Sequence, residues 1–112
     1  MSKTKADFVA KALSNLGVLA AGQAVTAEDS DAVGALVTPV LEELSGEGVV
    51  TVPDEEDIAD NIFLPLARIL AEKAAPEYGR ESNEQVIMLA KTQIFKVTYG
   101  RPTGEVLEVD YF

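Results

Sequence analysis

Apolar residues recur along this chain at helical spacing, in stretches separated by glycine and proline. The first stretch predicts a helix from Lys5 to Leu16. Its apolar residues return every three or four positions and share one face: Phe8, Val9, Ala12, Leu13 and Leu16. Thr4 and Asp7 have the spacing of a capping box at its start, and Gly17 is suited to the left-handed conformation that ends a helix.

A second helix is predicted from Thr26 to about Gly46. Thr26 and Asp29 mark its start, after a loop over residues 19–25. Its one-sided apolar stripe comprises Val33, Leu36, Val37, Val40, Leu41 and Leu44. Gly34 and Pro39 both weaken a helix, so we expect packing against a neighbour to stabilise this one.

The stretch from Pro53 to Gly79 is predicted to be one long helix at the centre of the domain. It opens on a proline followed by acidic residues, and it closes on Pro76 and Gly79. Between these ends it is apolar around most of its circumference, a pattern typical of a helix that is surrounded by others. Pro65 lies in its interior and lacks an amide donor, which predicts a bend between Asn61 and Pro65.

A fourth helix is predicted from Ser82 to about Val97. Ser82 and Gln85 have capping-box spacing, and the apolar residues on one face are Val86, Ile87, Ala90, Ile94 and Val97. The short segment Val49–Val52, which precedes the central helix, is β-prone and too short for a helix.

The last residues change from helical to alternating spacing. Leu107, Val109 and Tyr111 alternate with acidic residues, and Phe112 follows, which predicts a short amphipathic strand or arm. Two placements are open. The arm either pairs with Val49–Val52 of its own chain or adds as a strand to another subunit.

These patterns together predict a mostly α protein. Residues 1–100 form a four-helix bundle-like domain with a short β-prone turn, and residues 101–112 form an extended C-terminal arm.

Composition argues against an enzyme. The chain has no cysteine and no histidine, which removes the usual nucleophilic thiolate, general base and transition-metal ligands. We therefore expect no catalytic residue, no cofactor and no metal. No segment has 18 uninterrupted apolar residues, and the N-terminus lacks a signal-peptide core, so we expect a soluble protein that is intracellular when made.

Paired carboxylates are the remaining candidates for chemistry. The runs at 54–57 and 42–43 contain the residue type that glycoside cleavage needs, but their expected position at helix ends explains them without catalysis. Residues 29–40 begin like a calcium-binding loop, yet Val33 and Val40 occupy positions where oxygen ligands belong. Phosphate-binding and hydrolase motifs are also absent from the sequence.

The distribution of charge is more informative than the net charge of -10. No lysine or arginine lies between Lys11 and Arg68, an interval that holds eleven of the nineteen acidic residues. Ordinary DNA binding requires cations to neutralise phosphates, so this interval argues against it. It is either a solvated acidic face or a surface that repels nucleic acid, such as a channel wall or a DNA mimic.

Three short motifs in this order resemble a known family. They are Leu16-Gly17-Val18 after the first helix, the corner Ala75-Pro76-Glu77-Tyr78-Gly79 after the central one, and Asp110-Tyr111-Phe112 in the arm. From about Thr4 to Phe112 the chain resembles the head-tail connector adaptors of tailed phages, which are small helical head-completion or tail accessory proteins. It departs from them in having no basic residue from Ala12 to Ala67.

The resemblance implies a structural virion protein that is made in the host cytoplasm. It implies a dodecameric ring of neighbouring adaptor subunits, bound to a portal protein above and a tail or stopper protein below, with DNA passing through unbound and no membrane contact. The expected channel-facing acids are Asp29, Asp31, Asp54, Glu55, Glu56 and Asp57. The arm residues expected to bind a partner are Leu107, Val109, Tyr111 and Phe112.

Two other classes of function are compatible with the sequence. A standalone acidic binding module would mimic DNA and occupy the basic cleft of a nucleic-acid enzyme. A carboxylate-based cell-wall glycosidase would need two carboxyl groups facing one cleft.

Overall fold

Helices make up most of the structure, a computed structural model that describes residues 2–18 and 25–98. The elements in chain order are strand β1 (Ser2–Lys3), helix α1 (Lys5–Asn15), helix α2 (Ala27–Gly46), strand β2 (Ile58–Ala59), helix α3 (Asp60–Ala74), a 3₁₀ turn (Ala75–Tyr78) and helix α4 (Glu84–Thr98). The predicted mostly α, bundle-like fold class is confirmed. The two short strands pair antiparallel, with Ser2 opposite Ala59 and Lys3 opposite Ile58.

Helix α3 lies at the centre of the fold. It contacts α1, α2, α4 and both strands. Its buried residues cover most of its circumference: Ile62, Phe63, Leu66, Ala67, Ile69, Leu70, Ala71 and Ala74. The ring of Phe63 lies 6.4 Å from that of Phe8 on α1, centroid to centroid. The central position predicted from the apolar pattern is therefore confirmed for the part of the chain that forms α3.

Local signals determine both ends of α1, as predicted. The Thr4 hydroxyl accepts a hydrogen bond from the Asp7 amide (3.2 Å), and the Asp7 carboxylate accepts one from the Thr4 amide (3.1 Å). This backbone hydrogen bond lowers the pKa of Asp7. At the other end Gly17 has φ of 78°, and the Val18 amide donates to the Leu13 carbonyl (3.1 Å). That hydrogen bond closes a Schellman motif.

Helix α2 also begins where its cap predicts. Thr26 accepts a hydrogen bond from the Asp29 amide (3.2 Å), and the helix continues through Gly34 and Pro39. Leu36 of the predicted stripe is half-buried. The other five stripe residues are buried: Val33, Val37, Val40, Leu41 and Leu44. Packing of this stripe compensates for the two weak helix formers.

The predicted start of the central helix at Pro53 is wrong, because α3 begins at Asp60. Residues 54–57 form a turn, in which the Asp54 carboxylate accepts a hydrogen bond from the Glu56 amide (2.9 Å). Such side-chain to backbone hydrogen bonds compete with helix formation. Ile58, which follows the turn, is fully buried and paired with Lys3, so its backbone is extended.

The β-prone segment Val49–Val52 forms no strand. Val50 is buried, and Val49 and Val52 pack half-buried against the core. A strand requires a backbone partner, and the N-terminal strand pairs with Ile58–Ala59 instead. Pairing of the arm with Val49–Val52 concerns residues 101–112, which lie outside the described residues.

The predicted capping residue of the fourth helix is also wrong. The Asn83 side chain accepts hydrogen bonds from the Gln85 amide (3.0 Å) and the Val86 amide (3.3 Å), so Asn83 caps α4. The Ser82 hydroxyl instead donates a hydrogen bond of 2.5 Å to the backbone carbonyl of Glu72, near the end of α3. Both residue types cap helices well, and the contact with α3 determines which one does so here.

Two glycine substitutions are expected to change stability in opposite directions. Gly34→Ala is expected to raise the free energy of unfolding by about 0.5–1 kcal/mol, since alanine favours a helix more than glycine. A Cβ at this position would meet nothing within 4 Å. Gly79→Ala is expected to lower the free energy of unfolding by about 1–2 kcal/mol. Gly79 has φ of 74°, a left-handed conformation that alanine adopts only with strain. Urea unfolding followed by circular dichroism measures both, and a loss of stability in Gly34→Ala would contradict the helical geometry at residue 34.

Candidate functional site

The acidic turn at residues 54–57 is held against the start of the chain. The Lys5 ammonium lies 3.4 Å from a Glu55 carboxylate oxygen, and the Lys5 amide donates to Glu56 (3.2 Å). Glu55 also accepts a hydrogen bond from the Thr38 hydroxyl of α2. Two of the expected channel-facing acids, Glu55 and Glu56, therefore bind groups of their own chain.

Asp54 and Asp57 differ in their surroundings. Asp54 accepts the Glu56 amide inside the turn, as described above. The Asp57 side chain is exposed, and its amide donates to the Asp54 carbonyl (3.0 Å). Asp54, Glu56 and Asp57 are all exposed, and the hydrogen bonds described above involve the backbone of Asp57 and not its carboxylate.

Asp29 bonds to the corner that follows α3. The Tyr78 hydroxyl donates to the Asp29 carboxylate over 2.9 Å. Burial raises the pKa of Tyr78 above the ordinary value of 10.0. The hydrogen bond to Asp29 and the negative charges of Asp29 and Glu77 raise it further. Residue 29 therefore connects the start of α2 to the corner Ala75-Pro76-Glu77-Tyr78-Gly79, on which the family resemblance partly rests.

Tyr78→Phe is expected to lower the free energy of unfolding at neutral pH by about 0.5–1.5 kcal/mol, because it removes this hydrogen bond. The folded-state pKa of Tyr78 lies above the unfolded value, so its stabilisation is complete below pH 10.0 and is lost as the pH rises through the folded-state pKa. The difference between the two proteins should therefore shrink in alkaline buffer. Urea titrations at about pH 8 and about pH 11 measure it. A difference that stays constant would contradict the hydrogen bond.

A cleft between α1 and α2 brings an acidic residue of α2 next to the acidic turn at residues 54–57. Its volume is about 420 Å³, and Asp31 of α2 and Glu56 of the turn both line it. Lys5 lines it as well, and the α2 wall includes Gly34, which has no side chain, and Ala35, whose side chain is a methyl group. The structure therefore places Asp31 close to the acidic turn, although 25 positions separate it from Glu56 in the sequence.

A second cleft, of about 250 Å³, is lined by Glu42 and Glu55. Two carboxylates thus face one cleft, which is the arrangement that the glycosidase alternative requires. Its other walls include the hydroxyl groups of Thr38, Ser45 and Thr51, and Glu55 is paired with Lys5. Leu41, Val52 and Pro53 complete the lining, and Glu55 is already bound by the Thr38 hydroxyl and the Lys5 ammonium rather than free to act on a substrate.

Within residues 2–18 and 25–98, no three acidic side chains are grouped so that they could hold a metal ion. The stretch that begins like a calcium-binding loop lies inside α2. A helical backbone there does not wrap its side chains around one ion. None of the helices in the described part is long and apolar enough to cross a membrane.

Large apolar side chains are exposed on α4 and on the neighbouring side of α3. Met88 and Leu89 are each 66% exposed, Phe95 is 51% exposed, Leu64 is 50% exposed and Val97 is 41% exposed. Val97, which the sequence pattern placed on the apolar stripe of α4, is therefore exposed, and Met88, Leu89 and Phe95 lie outside that predicted stripe. The available signal was that apolar residues continue around α4 beyond that stripe.

A shallow groove of about 230 Å³ runs between α3 and α4. It is lined by Arg68, Val86, Leu89, Ala90 and Gln93, and the Arg68 guanidinium donates to Gln93 across it (3.2 Å). We call this surface the α3–α4 groove. It lies away from the acidic clefts, which are built from α1, α2 and the turn at 54–57.

The corner after α3 has a structural role. Besides the hydrogen bond of Tyr78, the Arg80 guanidinium donates to the Leu16 carbonyl at the end of α1. The corner and the Leu16-Gly17-Val18 motif, which are far apart in the sequence, therefore meet in the fold. The expected arm residues Leu107, Val109, Tyr111 and Phe112 lie outside the described residues.

Comparison of the chain with protein-family models, with curated proteins and with solved structures found no match.

Proposed function

We propose that this protein is a structural subunit of a phage head-tail connector. In this proposal it forms a dodecameric ring with neighbouring copies, bound to a portal protein on one side and to a tail or stopper protein on the other. DNA passes through the ring without specific binding. The protein acts in the virion and catalyses no reaction, which agrees with a sequence that contains neither histidine nor cysteine.

The separation of acidic and apolar surfaces carries this proposal. Acidic residues border the clefts of α1, α2 and the turn at 54–57, whereas exposed apolar side chains are on α3 and α4. Lys73 pairs with Glu43 (3.1 Å) and Lys91 pairs with Glu47 (2.7 Å), so cations of α3 and α4 neutralise only the C-terminal end of α2. One side of the molecule is thus suited to repelling phosphate and another to protein contacts.

Hydrogen bonds within the chain distinguish the acids that we expect at the channel wall. Asp29, Asp54, Glu55 and Glu56 have hydrogen-bond partners within the chain. Asp31 and Asp57 are exposed. We infer that these two residues contribute most to a channel wall, where repulsion acts within a Debye length of about 8 Å at physiological salt.

The double variant Asp31→Lys, Asp57→Lys is expected to make the assembled ring retain duplex DNA, because two charges per subunit change sign and the net charge at the channel wall rises by four units. Filter binding at increasing salt measures this, and binding should weaken as salt rises. The matched control is Glu77→Lys, Glu81→Lys, which changes two exposed acids near the corner by the same charge. Equal retention by both variants would show that net charge, and not placement at a channel, governs binding.

Native mass spectrometry of the full chain, alone and mixed with a phage portal protein, tests the function itself. A complex with about twelve copies per portal ring is expected. A monomer in the absence of portal agrees with the proposal, since many assemblies form only when a partner is bound. Lack of association with a well-formed portal ring would overturn it, and tight binding to a nucleic-acid enzyme would support the DNA-mimic alternative.

A further inference from the structure

The α3–α4 groove extends beyond the five residues that line its deepest part. The start of α4 is joined to the end of α3, because the Asn83 amide donates to the Glu72 carboxylate (2.7 Å). Arg68 meets Gln93 further along. The two helices are therefore antiparallel. Leu64, one turn before Arg68, and Val97, one turn after Gln93, lie toward the same end of the groove.

The groove has an apolar floor and basic flanks. Leu89, Leu64 and Val97 are 66%, 50% and 41% exposed, which is unusual for three large apolar residues along one helix pair. Arg68 lies within the groove. Lys96 lies three residues after Gln93, on the side of α4 that carries Leu89. A ligand for this surface should be apolar and acidic together.

The chain itself contains a segment with that chemistry. Residues 105–112 include three acidic residues and no lysine or arginine. Their apolar residues at 107, 109 and 111 alternate with acids, so in an extended conformation they would share one face at a spacing of about 6.6 Å. The apolar face would meet Leu89 and its neighbours, and Glu105, which shares that face at the start of the segment, would meet Arg68 or Lys96.

We propose that the α3–α4 groove binds residues 105–112 of the same molecule. The chain leaves α4 at Thr98, next to Val97 at one end of the groove. Residues 99–104 span up to about 20 Å when extended, and the groove from Val86 to Val97 is about 16 Å long, so the segment can reach it. Gly100, Pro102 and Gly104 suit the required reversal.

A second copy is a weaker occupant on physical grounds. A short linker gives the segment of the same molecule an effective concentration in the millimolar range. Two copies also repel each other, since each has a net charge of -10. The inference goes beyond the proposed connector function. If the arm also joins a connector, the groove holds the arm in the free molecule. The connector partner must then bind the arm more tightly than the groove does.

Engineered cysteine pairs in the full chain test the inference, because the natural chain has no cysteine. The test variant is Leu89→Cys with Val109→Cys, and the control is Met88→Cys with Val109→Cys. Met88 and Leu89 are both 66% exposed, but only Leu89 lines the groove. In a glutathione redox buffer the first pair is expected to form its intramolecular disulfide with an effective concentration at least about tenfold higher than the control.

Three outcomes are decisive. Equal effective concentrations for the two cysteine pairs would overturn the inference. Mixing ¹⁵N-labelled and unlabelled protein identifies disulfides between molecules. If mixed-isotope products were the main species, a second copy would occupy the groove, and the inference would also be overturned. Hydrogen exchange gives an independent measurement on proteins without cysteine. Protection of residues 105–112 should be lost in Leu89→Glu and kept in Met88→Glu. Neither result affects the portal-binding test of the connector function.

Discussion

Replacing Leu66 by alanine is expected to lower the free energy of unfolding by about 2–5 kcal/mol. Leu66 is fully buried in the middle of α3, the helix that contacts α1, α2 and α4. Its truncation leaves a cavity where the other helices meet, and the surroundings of a central helix have little freedom to collapse into it. Since domains of this size are stable by only about 5–15 kcal/mol, the loss is a large fraction of the total.

Leu64→Ala is the matched control, because it makes the same chemical change two residues away on the same helix. Leu64 is 50% exposed, so the expected loss is less than about 1 kcal/mol. Urea unfolding followed by circular dichroism measures both variants, with the slope of the transition compared as well. Similar losses in the two variants would contradict the placement of α3 at the centre of the core.

Removal of residues 101–112 is expected to leave the helical domain folded and to abolish its incorporation into a connector. Within the described residues the core cluster extends from Phe8 to Ile94, and the deletion leaves all of these residues in place. The arm supplies the apolar side chains at 107, 109, 111 and 112 that we expect to bind a portal or a neighbouring adaptor. Circular dichroism measures folding, and co-sedimentation with the portal ring measures incorporation.

A full-length variant with serine at Leu107, Val109, Tyr111 and Phe112 separates chain length from side-chain chemistry. It should fail to join the connector as the deletion does, because it keeps the backbone and loses the apolar contacts. If the truncated protein still assembled with the portal, the arm would not be the binding element, and the exposed residues of α4 would be the next candidates.

Much of the fold was predictable from the sequence where short-range interactions dominate. The caps Thr4 and Thr26 bond to amides three residues away, and Gly17 ends its helix through contacts within one turn. The apolar stripes of α1 and α2 likewise identified their buried faces. These features depend on helix geometry alone, so neighbouring residues are sufficient to determine them.

The candidate site was less predictable, because its residues are brought together by contacts between distant segments. The acidic turn before α3 was mistaken for the first turn of a helix, since acids after a proline mark both structures. The partners of the acids, Lys5 and Tyr78, are 51 and 49 positions away in the sequence. Local patterns carry no information on such pairs.

The sequence by itself determined that the protein is mostly helical, that residues 2–18 and 25–98 contain four helices with α3 at the centre, and that no lysine or arginine lies between Lys11 and Arg68. Only the tertiary structure decided where α3 begins, which acids bind groups of their own chain, and that α4 exposes Met88 and Leu89, of which Leu89 lines a groove together with Arg68. The physical reason is that periodicity and capping act within one or two helical turns, whereas burial and ion pairing depend on which segments pack together.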